Sequence, residues 1–183
     1  MLKNAATLVL ALVVFAATAA SAQERKDLQI FRDISDHVNR YTQFTIFDNI
    51  EASVTQGRVV LTGSVTMPFK RDDIERRVRA VSGVTAVENA IEVLPVSQFD
   101  DELRFRIARA IYSNSSFWNY AAMANPPIHS IVIRGRVTLT GVVHSNVERM
   151  LAQSLATGFG SFEVKNALKT DDEARAELER IGS

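Results

Sequence analysis

The sequence predicts an α+β protein made of two tandem α-β-β-α-β modules, each a three-stranded mixed sheet covered on one face by two helices. Two repeated motifs predict this organisation. The segment GRVVLTG at residues 57–63 returns as GRVTLTG at residues 135–141. The segment VENAIEV at residues 87–93 is echoed by VKNALKT at residues 164–170.

The spacing of these motifs supports an internal duplication. From Gly63 to Asn89 there are 26 residues, and from Gly141 to Asn166 there are 25. Two motifs in the same order at nearly the same separation indicate two copies of one unit.

The first helix of the first copy is predicted over residues 26–41. Apolar side chains recur there at the spacing of one helical face: Ile30, Ile34, Val38 and Tyr41. Two strand-like runs follow, at residues 50–55 and 58–65.

A glycine between these strands predicts a tight hairpin. Gly57 can adopt the positive φ that a two-residue turn requires. Such a turn places Val54 opposite Val59 and Ala52 opposite Leu61, so that one side of the hairpin is apolar.

A second helix and a third strand complete the unit. The helix has a buried stripe and ends at Gly83, and alternate apolar residues then mark a strand. The stripe is Ile74, Val78 and Val81, and the strand residues are Val87, Ile91 and Val93.

The second copy repeats the order of the first. Its first helix is predicted at about residues 99–113, its hairpin turn at Gly135 and its last strand at residues 162–169. A Ser145-x-x-Glu148 capping box begins the second helix.

These elements divide the chain into four parts. We expect a signal peptide at residues 1–22, a first module at 23–94, a second at 95–169 and a C-terminal tail with a short helix at 170–183. The linker at residues 94–97 is too short to let the modules move far apart.

The N-terminus has the pattern of an export signal. Lys3 is followed by an uncharged, mostly apolar run at residues 7–19, and Ala20-Ser21-Ala22 supplies the small-x-small cleavage pattern. An uncleaved anchor is the alternative, but the uncharged stretch at residues 4–22 is short for a membrane span. We therefore expect a periplasmic protein that begins at Gln23.

The glycine turn, the VxLxG strand and the GVxxVxNxIxV segment resemble the BON domain, a module of bacterial osmotic-shock and nodulation-associated envelope proteins. The second copy departs from the pattern at Ser161, where the family usually has valine. The first copy matches at Gly57, Val59, Leu61, Gly63, Val65, Gly83, Val84, Val87, Asn89, Ile91 and Val93. The second matches at Gly135, Val137, Leu139, Gly141, Val143, Gly160, Val164, Asn166 and Leu168.

The resemblance implies a non-enzymatic envelope module of the periplasm or outer membrane that is linked to osmotic stress. It implies binding to phospholipid or the tethering of envelope components. Most of the matching positions are core and turn residues, which specify fold better than function.

Composition and motifs give no support for catalysis. The chain of 183 residues has no cysteine and a formal net charge of zero, so it lacks thiolate chemistry and the basic surplus of nucleic-acid binders. No metal motif, phosphate loop or nucleophile elbow occurs. Three acidic pairs lie near predicted helix N-termini, where the helix dipole favours them: Asp72-Asp73, Asp100-Asp101 and Asp171-Asp172. We expect no enzyme, no cofactor and no metal.

A run of charges on the second helix is the next candidate site. Its bases are Lys70, Arg71, Arg76, Arg77 and Arg79. Acids lie four residues before three of them, in the pairs Asp72–Arg76, Asp73–Arg77 and Glu75–Arg79. This pattern favours a self-neutralised solvated face over an anion-binding patch.

The second copy has more aromatic residues than its core needs. A full core face is already present on its first helix, from Phe99, Leu103, Ile107, Ala110 and Ile111. Phe105 and Tyr112 lie about 160–180° from that face, beside Arg109. The connection to the hairpin is also longer than in the first copy, with 27 residues from Asp101 to Ile128 against 23 from Asp27 to Ile50.

These residues predict a contact with anionic phospholipid or with another envelope protein. The candidate surface is Phe105, Arg109, Tyr112, Phe117, Trp118 and Tyr120. Interfacial rings and guanidinium groups together suit an anionic membrane surface. Two alternatives remain open: the aromatics pack inside the protein, or a protein partner binds here or on the outer sheet face with Ile131 and Ile133.

Overall fold

The computed structural model describes residues 26–181, so the predicted signal peptide at residues 1–22 lies outside the described part. The helices are α1 at residues 26–39, α2 Pro68–Arg79, α3 Gln98–Tyr112, α4 Trp118–Ala121, α5 Asn146–Ala156 and α6 Asp171–Ile181. The strands are β1 Asn49–Thr55, β2 Arg58–Val65, β3 Ala86–Asn89, β4 Glu92–Val93, β5 Ile128–Ile133, β6 Arg136–Val143, β7 Glu163–Asn166 and β8 Lys169–Thr170. The α+β architecture with two repeated modules is confirmed.

The hairpin register is confirmed in both repeats. Ala52 pairs with Leu61 and Val54 with Val59 across an antiparallel β1–β2 ladder. The turn residues Gln56 and Gly57 both have positive φ, 51° and 74°, as a type I′ turn requires. The equivalent turn at Arg134-Gly135 has φ values of 51° and 75°.

The third strand of each repeat is broken into two short strands rather than continuous. β3 and β4 both pair in parallel with β2, on either side of a break after Asn89. The Asn89 side chain accepts from the amide of Ile91 at 3.1 Å and donates to Glu75 at 2.8 Å. The asparagine of the motif therefore closes the break and ties it to α2.

Each repeat has its own apolar core between its sheet and its helices. Leu61 and Leu139, at the centres of the two sheets, are both fully buried. The first core comprises Ile30, Ile34, Val38, Tyr41, Val59, Leu61, Val65, Ile74, Val78, Val81 and Ile91. The second comprises Leu103, Ile107, Ile111, Phe117, Tyr120, Ile128, Val132, Val137, Leu139, Val143, Ala152, Ala156 and Leu168.

Asp100 holds the hairpin turn of the second repeat, a role that the helix-dipole interpretation missed. Its carboxylate is buried and accepts from the amides of Arg134 and Gly135, both at 2.8 Å. Asp27 makes the same contacts with the first turn, at 2.7 and 2.9 Å. The counterpart of Asp27 is therefore Asp100, not Asp101. Helical spacing predicts Phe99 in the core, but its side chain lies beside this turn and is 51% exposed.

The charges on α2 are paired, as expected for a solvated face, with two exceptions. Arg77 does not pair with Asp73 but lies over the ring of Tyr41, 4.5 Å from its centroid. Arg79 contacts Glu75 at 2.6 Å, and Arg76 contacts Asp73 at 2.9 Å rather than Asp72. Lys70 is the second exception, because it is buried and forms a 2.7 Å ion pair with the buried Asp48.

The loop before β1 docks against the second repeat. The carbonyl of Ile46 accepts from the amide of Ser130 on β5 at 2.8 Å. His129 Nδ1 donates to the carbonyl of Asp48 at 2.6 Å, and its ring lies 5.5 Å from that of Phe44. Residues 44–48, defined here as the docking loop, therefore connect the two sheets.

Candidate functional site

The longer connection between α3 and β5, residues 113–127, is called the aromatic insertion here, and it folds back over the core of the second repeat. A 3-10 turn at Ser115–Phe117 leads into α4, and Phe117 and Tyr120 on this segment are buried. Their rings stack with centroids 6.0 Å apart. The expectation that these two side chains form a surface is wrong, because the insertion closes the helix side of the core.

Tyr112 also lies inward rather than on the solvent face of α3. Its hydroxyl donates to the carbonyl of Ile128 at 2.6 Å and accepts from the same residue's amide at 3.0 Å. Burial raises the pKa of this hydroxyl well above its usual range. The helical projection placed Tyr112 opposite the core, but α3 packs beside the edge strand β5, which this side chain covers.

Trp118 is the exposed member of the insertion. It begins α4, and 74% of the residue is open to solvent although its neighbour Phe117 is fully buried. The backbone of this short helix is fixed by the bond from the Ala122 amide to the Trp118 carbonyl, at 3.2 Å. The ring is therefore presented outward from a segment that the core anchors.

Phe105 and Arg109 form a second exposed pair, one turn apart on α3. Phe105 is 65% exposed, and its ring meets Phe47 of the docking loop edge to face, with centroids 5.2 Å apart. Arg106 pairs with Glu102, whereas Arg109 has no carboxylate partner among residues 26–181. Phe47 had no detectable signal in the sequence, because it lies in an irregular loop without periodicity.

The buried hydroxyl of Tyr120 belongs to a structural network. It donates to Glu148 Oε2 at 2.7 Å and accepts from the amide of His144 at 2.9 Å. Burial, followed by the bond to Glu148, raises the pKa of Tyr120 to about 12. Glu148 Oε2 also accepts from the His144 amide at 3.0 Å, so this one carboxylate oxygen holds both the Tyr120 hydroxyl and the backbone just after β6.

The two histidines of this region have opposite environments. Burial against the docking loop lowers the pKa of His129. A hydrogen bond to Asp171, 2.7 Å from Nδ1, raises the pKa of His144. The two rings contact different elements, the docking loop for His129 and the first residue of α6 for His144.

Between residues 26 and 181, no three acidic or histidine side chains converge as metal ligands would. In the same range, no helix combines the length and apolar composition needed to span a bilayer. The outer sheet face of the second repeat has a shallow depression lined by Ile131, Ile133, Arg134, Arg136 and Thr138, although Ile131 itself is 7% exposed.

Comparisons with solved structures give low similarity. CdsD, a structural protein of the type III secretion system of Chlamydia trachomatis, has 13% identity and a TM-score of 0.29, with 82% of this chain and 97% of that chain covered. The C-terminal domain of CdsD has 14% identity and a TM-score of 0.27, with 75% and 94% covered. No curated protein matches the chain.

One family model matches the chain twice. The BON domain profile matches residues 26–95 and again residues 100–172, which together make up most of the chain. BON domains occur in envelope-associated proteins and form a non-catalytic domain family. The glycine turns and the asparagine at each strand break lie within the matched residues. The chain therefore belongs to the BON domain family, as a tandem member with two copies of the domain.

Proposed function

We propose that the protein is a non-catalytic module of the periplasm that binds the surface of anionic phospholipid membranes through Trp118, Phe105 and Arg109. The observation that carries the proposal is the exposure of Trp118, 74%, on a helix whose neighbouring aromatics are buried. A tryptophan held at the surface suits the headgroup region, where its ring is partly apolar and its indole N–H remains hydrated.

The charge of Arg109 on α3 supports the choice of an anionic lipid. Arg109 lies one turn from Phe105, and no acidic side chain in residues 26–181 neutralises it. A cation near an anionic leaflet contributes about 1 kcal/mol to binding. One arginine and two rings give weak, reversible attachment, as expected for a peripheral protein.

The buried aromatics have a supporting role in this proposal. Phe117 and Tyr120 anchor α4, and Tyr112 fixes the end of α3 to β5. Because these side chains are unavailable to lipid, replacing them should unfold the second repeat locally rather than remove a contact.

Cosedimentation with vesicles tests the proposal. We expect Trp118→Ala to reduce binding to phosphatidylglycerol vesicles strongly, with a stability change of about 0.5 kcal/mol as for other surface substitutions. Phe162→Ala is the matched control, because Phe162 is 80% exposed but lies at the hairpin turn, the opposite end of β5 from the insertion. Equal binding by both variants would contradict the proposal.

A protein partner is the second candidate for the same surface. Tryptophan is enriched among residues that dominate protein interfaces, so the exposed Trp118 supports a scaffolding role as well. Vesicle binding and partner recovery distinguish the two functions. A scaffold would bind no vesicle of any composition, but Trp118→Ala would still abolish recovery of its envelope partner.

A further inference from the structure

The two repeats differ in how they protect the edge strands of their sheets. In the second repeat, four of the six outward backbone groups of β5 are occupied. Tyr112 bonds both the amide and the carbonyl of Ile128, at 3.0 and 2.6 Å. The docking loop accepts from Ser130 at 2.8 Å, and Arg104 donates to the carbonyl of Val132 at 2.6 Å. This edge is therefore closed to further strand pairing.

The corresponding edge of the first repeat, β1, is open. The two-residue turn makes Thr55 and Arg58 a hydrogen-bonded pair, so the amides and carbonyls of Ile50, Ala52 and Val54 point away from β2. Within residues 26–181, no hydrogen bond reaches these outward groups.

The repeats carry different residues at two helix positions, and this explains why β5 is covered and β1 is open. Counted from the turn-binding aspartates Asp27 and Asp100, Phe31 on α1 occupies the position of Arg104, and Asn39 occupies the position of Tyr112. Phe31 has no donor for a strand carbonyl, and the side chain of Asn39 makes no bond to β1.

The side chains along the open edge are also incompletely covered. Ile50, Ala52 and Val54 are half-buried. Their counterparts on β5 are Ile128, Ser130 and Val132, with exposures of 1%, 3% and 0%. A strand added beside β1 would cover this apolar flank and satisfy its backbone at once.

The composition of β1 lacks the usual protection against strand addition. Its seven residues, NIEASVT, include no lysine, arginine or proline. The strand is regular throughout its ladder with β2, without a bulge. Its one charge, Glu51, lies on the outer face.

We propose that β1 pairs with β1 of a second copy of this chain, antiparallel about a two-fold axis at Ala52. In this register Ala52 pairs with itself and Ile50 pairs with Val54, and these are the residues whose backbone groups point outward, so each pair exchanges two hydrogen bonds.

The side chains are self-complementary in the same register. Ile50 meets Val54 and Ala52 meets Ala52 on the inner face, while Glu51 meets Ser53 on the outer face. No like charges lie directly opposite each other. A shift by one residue would pair outward backbone groups with groups that β2 already occupies. A shift by two residues would leave only two of the three outward residues paired, so the register about Ala52 gives the strand the most backbone pairs.

A pair of charge variants at Ser53 tests the dimer and its register together. Sedimentation equilibrium of the full mature chain should show a monomer–dimer equilibrium. Ser53→Lys places a cation opposite Glu51 twice in the dimer, so the dissociation constant should fall by roughly tenfold. Ser53→Glu places an anion at the same two positions, so the dissociation constant should rise by roughly tenfold. Ser53 is exposed, so both variants should fold alike.

Amide hydrogen exchange supplies an independent readout. The Ala52 amide should exchange rapidly in dilute solution and become protected as the concentration rises, whereas the Ser130 amide stays protected throughout. Ala52→Pro removes that donor without breaking the ladder to β2 and should abolish the dimer. A chain that stays monomeric up to millimolar concentration, or a dimer that Ser53→Lys and Ser53→Glu affect alike, would overturn the proposal. Neither outcome depends on lipid binding.

Discussion

Asp48 and Lys70 form a buried ion pair in the first repeat, with 2.7 Å between Oδ2 and Nζ. The same carboxylate accepts from the Thr66 amide at 2.7 Å. In the second repeat the amide at the equivalent position, His144, is instead bound by Glu148 at 3.0 Å, and Glu148 occupies the position of Lys70. The ends of the equivalent strands β2 and β6 are thus anchored with a cation, Lys70, in the first repeat and an anion, Glu148, in the second, at the same helix position.

Replacing Lys70 by Met should destabilise the protein by about 3 kcal/mol, because the Asp48 carboxylate would remain buried without its cation. Urea unfolding of the two proteins measures the difference. Arg76→Met is the matched control, since the Arg76 side chain is 75% exposed in its pair with Asp73 and should contribute less than about 1 kcal/mol. Equal losses of unfolding free energy for the two variants would contradict a larger contribution from the buried Lys70–Asp48 pair.

The ion pair also shows where sequence analysis fails. Lys70 belongs to a run of bases on α2, and helical spacing alone assigns such a residue to the solvated face. Its partner Asp48 is 22 residues away and lies in a loop without periodicity. Only the tertiary fold brings the two together, so no local pattern could have indicated this pair.

The hairpins and cores were predictable for the opposite reason. The pairing of Ala52 with Leu61 follows from a two-residue turn and from alternation, both of which are local features. The burial of Phe117 and Tyr120 was not predictable, since the insertion has no helical or strand period that distinguishes inward from outward side chains. Trp118 has the same local sequence context but lies on the outside.

His129, which lies against the docking loop, and His144, which lies at the surface, should titrate on opposite sides of the ordinary histidine pKa of 6.5. The pKa of His129 is lowered, so its contribution to stability is present above 6.5 and is lost as the pH falls. The pKa of His144 is raised by Asp171, so its contribution is present below 6.5 and is lost as the pH rises. Proton NMR of the imidazole resonances measures both values directly.

Single substitutions assign these two resonances and their consequences. His129→Gln should remove the acid-side loosening of the docking loop, seen by amide exchange at Ser130. His144→Gln should remove the alkaline-side loosening of α6, whose first residue is Asp171. A common pKa for both histidines would contradict the environments described here.

Export should leave a mature protein that begins at Gln23, because Ala20-Ser21-Ala22 fits the pattern that signal peptidase cleaves. Intact-mass analysis of protein isolated from the cell envelope measures the N-terminus. A mass that includes residues 1–22 would contradict cleavage and would favour a membrane anchor. The BON domains would be unaffected in either case, since both matches begin after this segment.

The emission spectrum of Trp118 tests membrane binding most directly, because it is the only tryptophan in the chain. Phosphatidylglycerol vesicles should shift the emission to the blue, as the exposed ring enters the headgroup region. Neutral vesicles should shift it less, and salt should weaken the effect because the Debye length falls to about 3 Å at 1 M. An unshifted spectrum with anionic vesicles at low salt would contradict the proposed function.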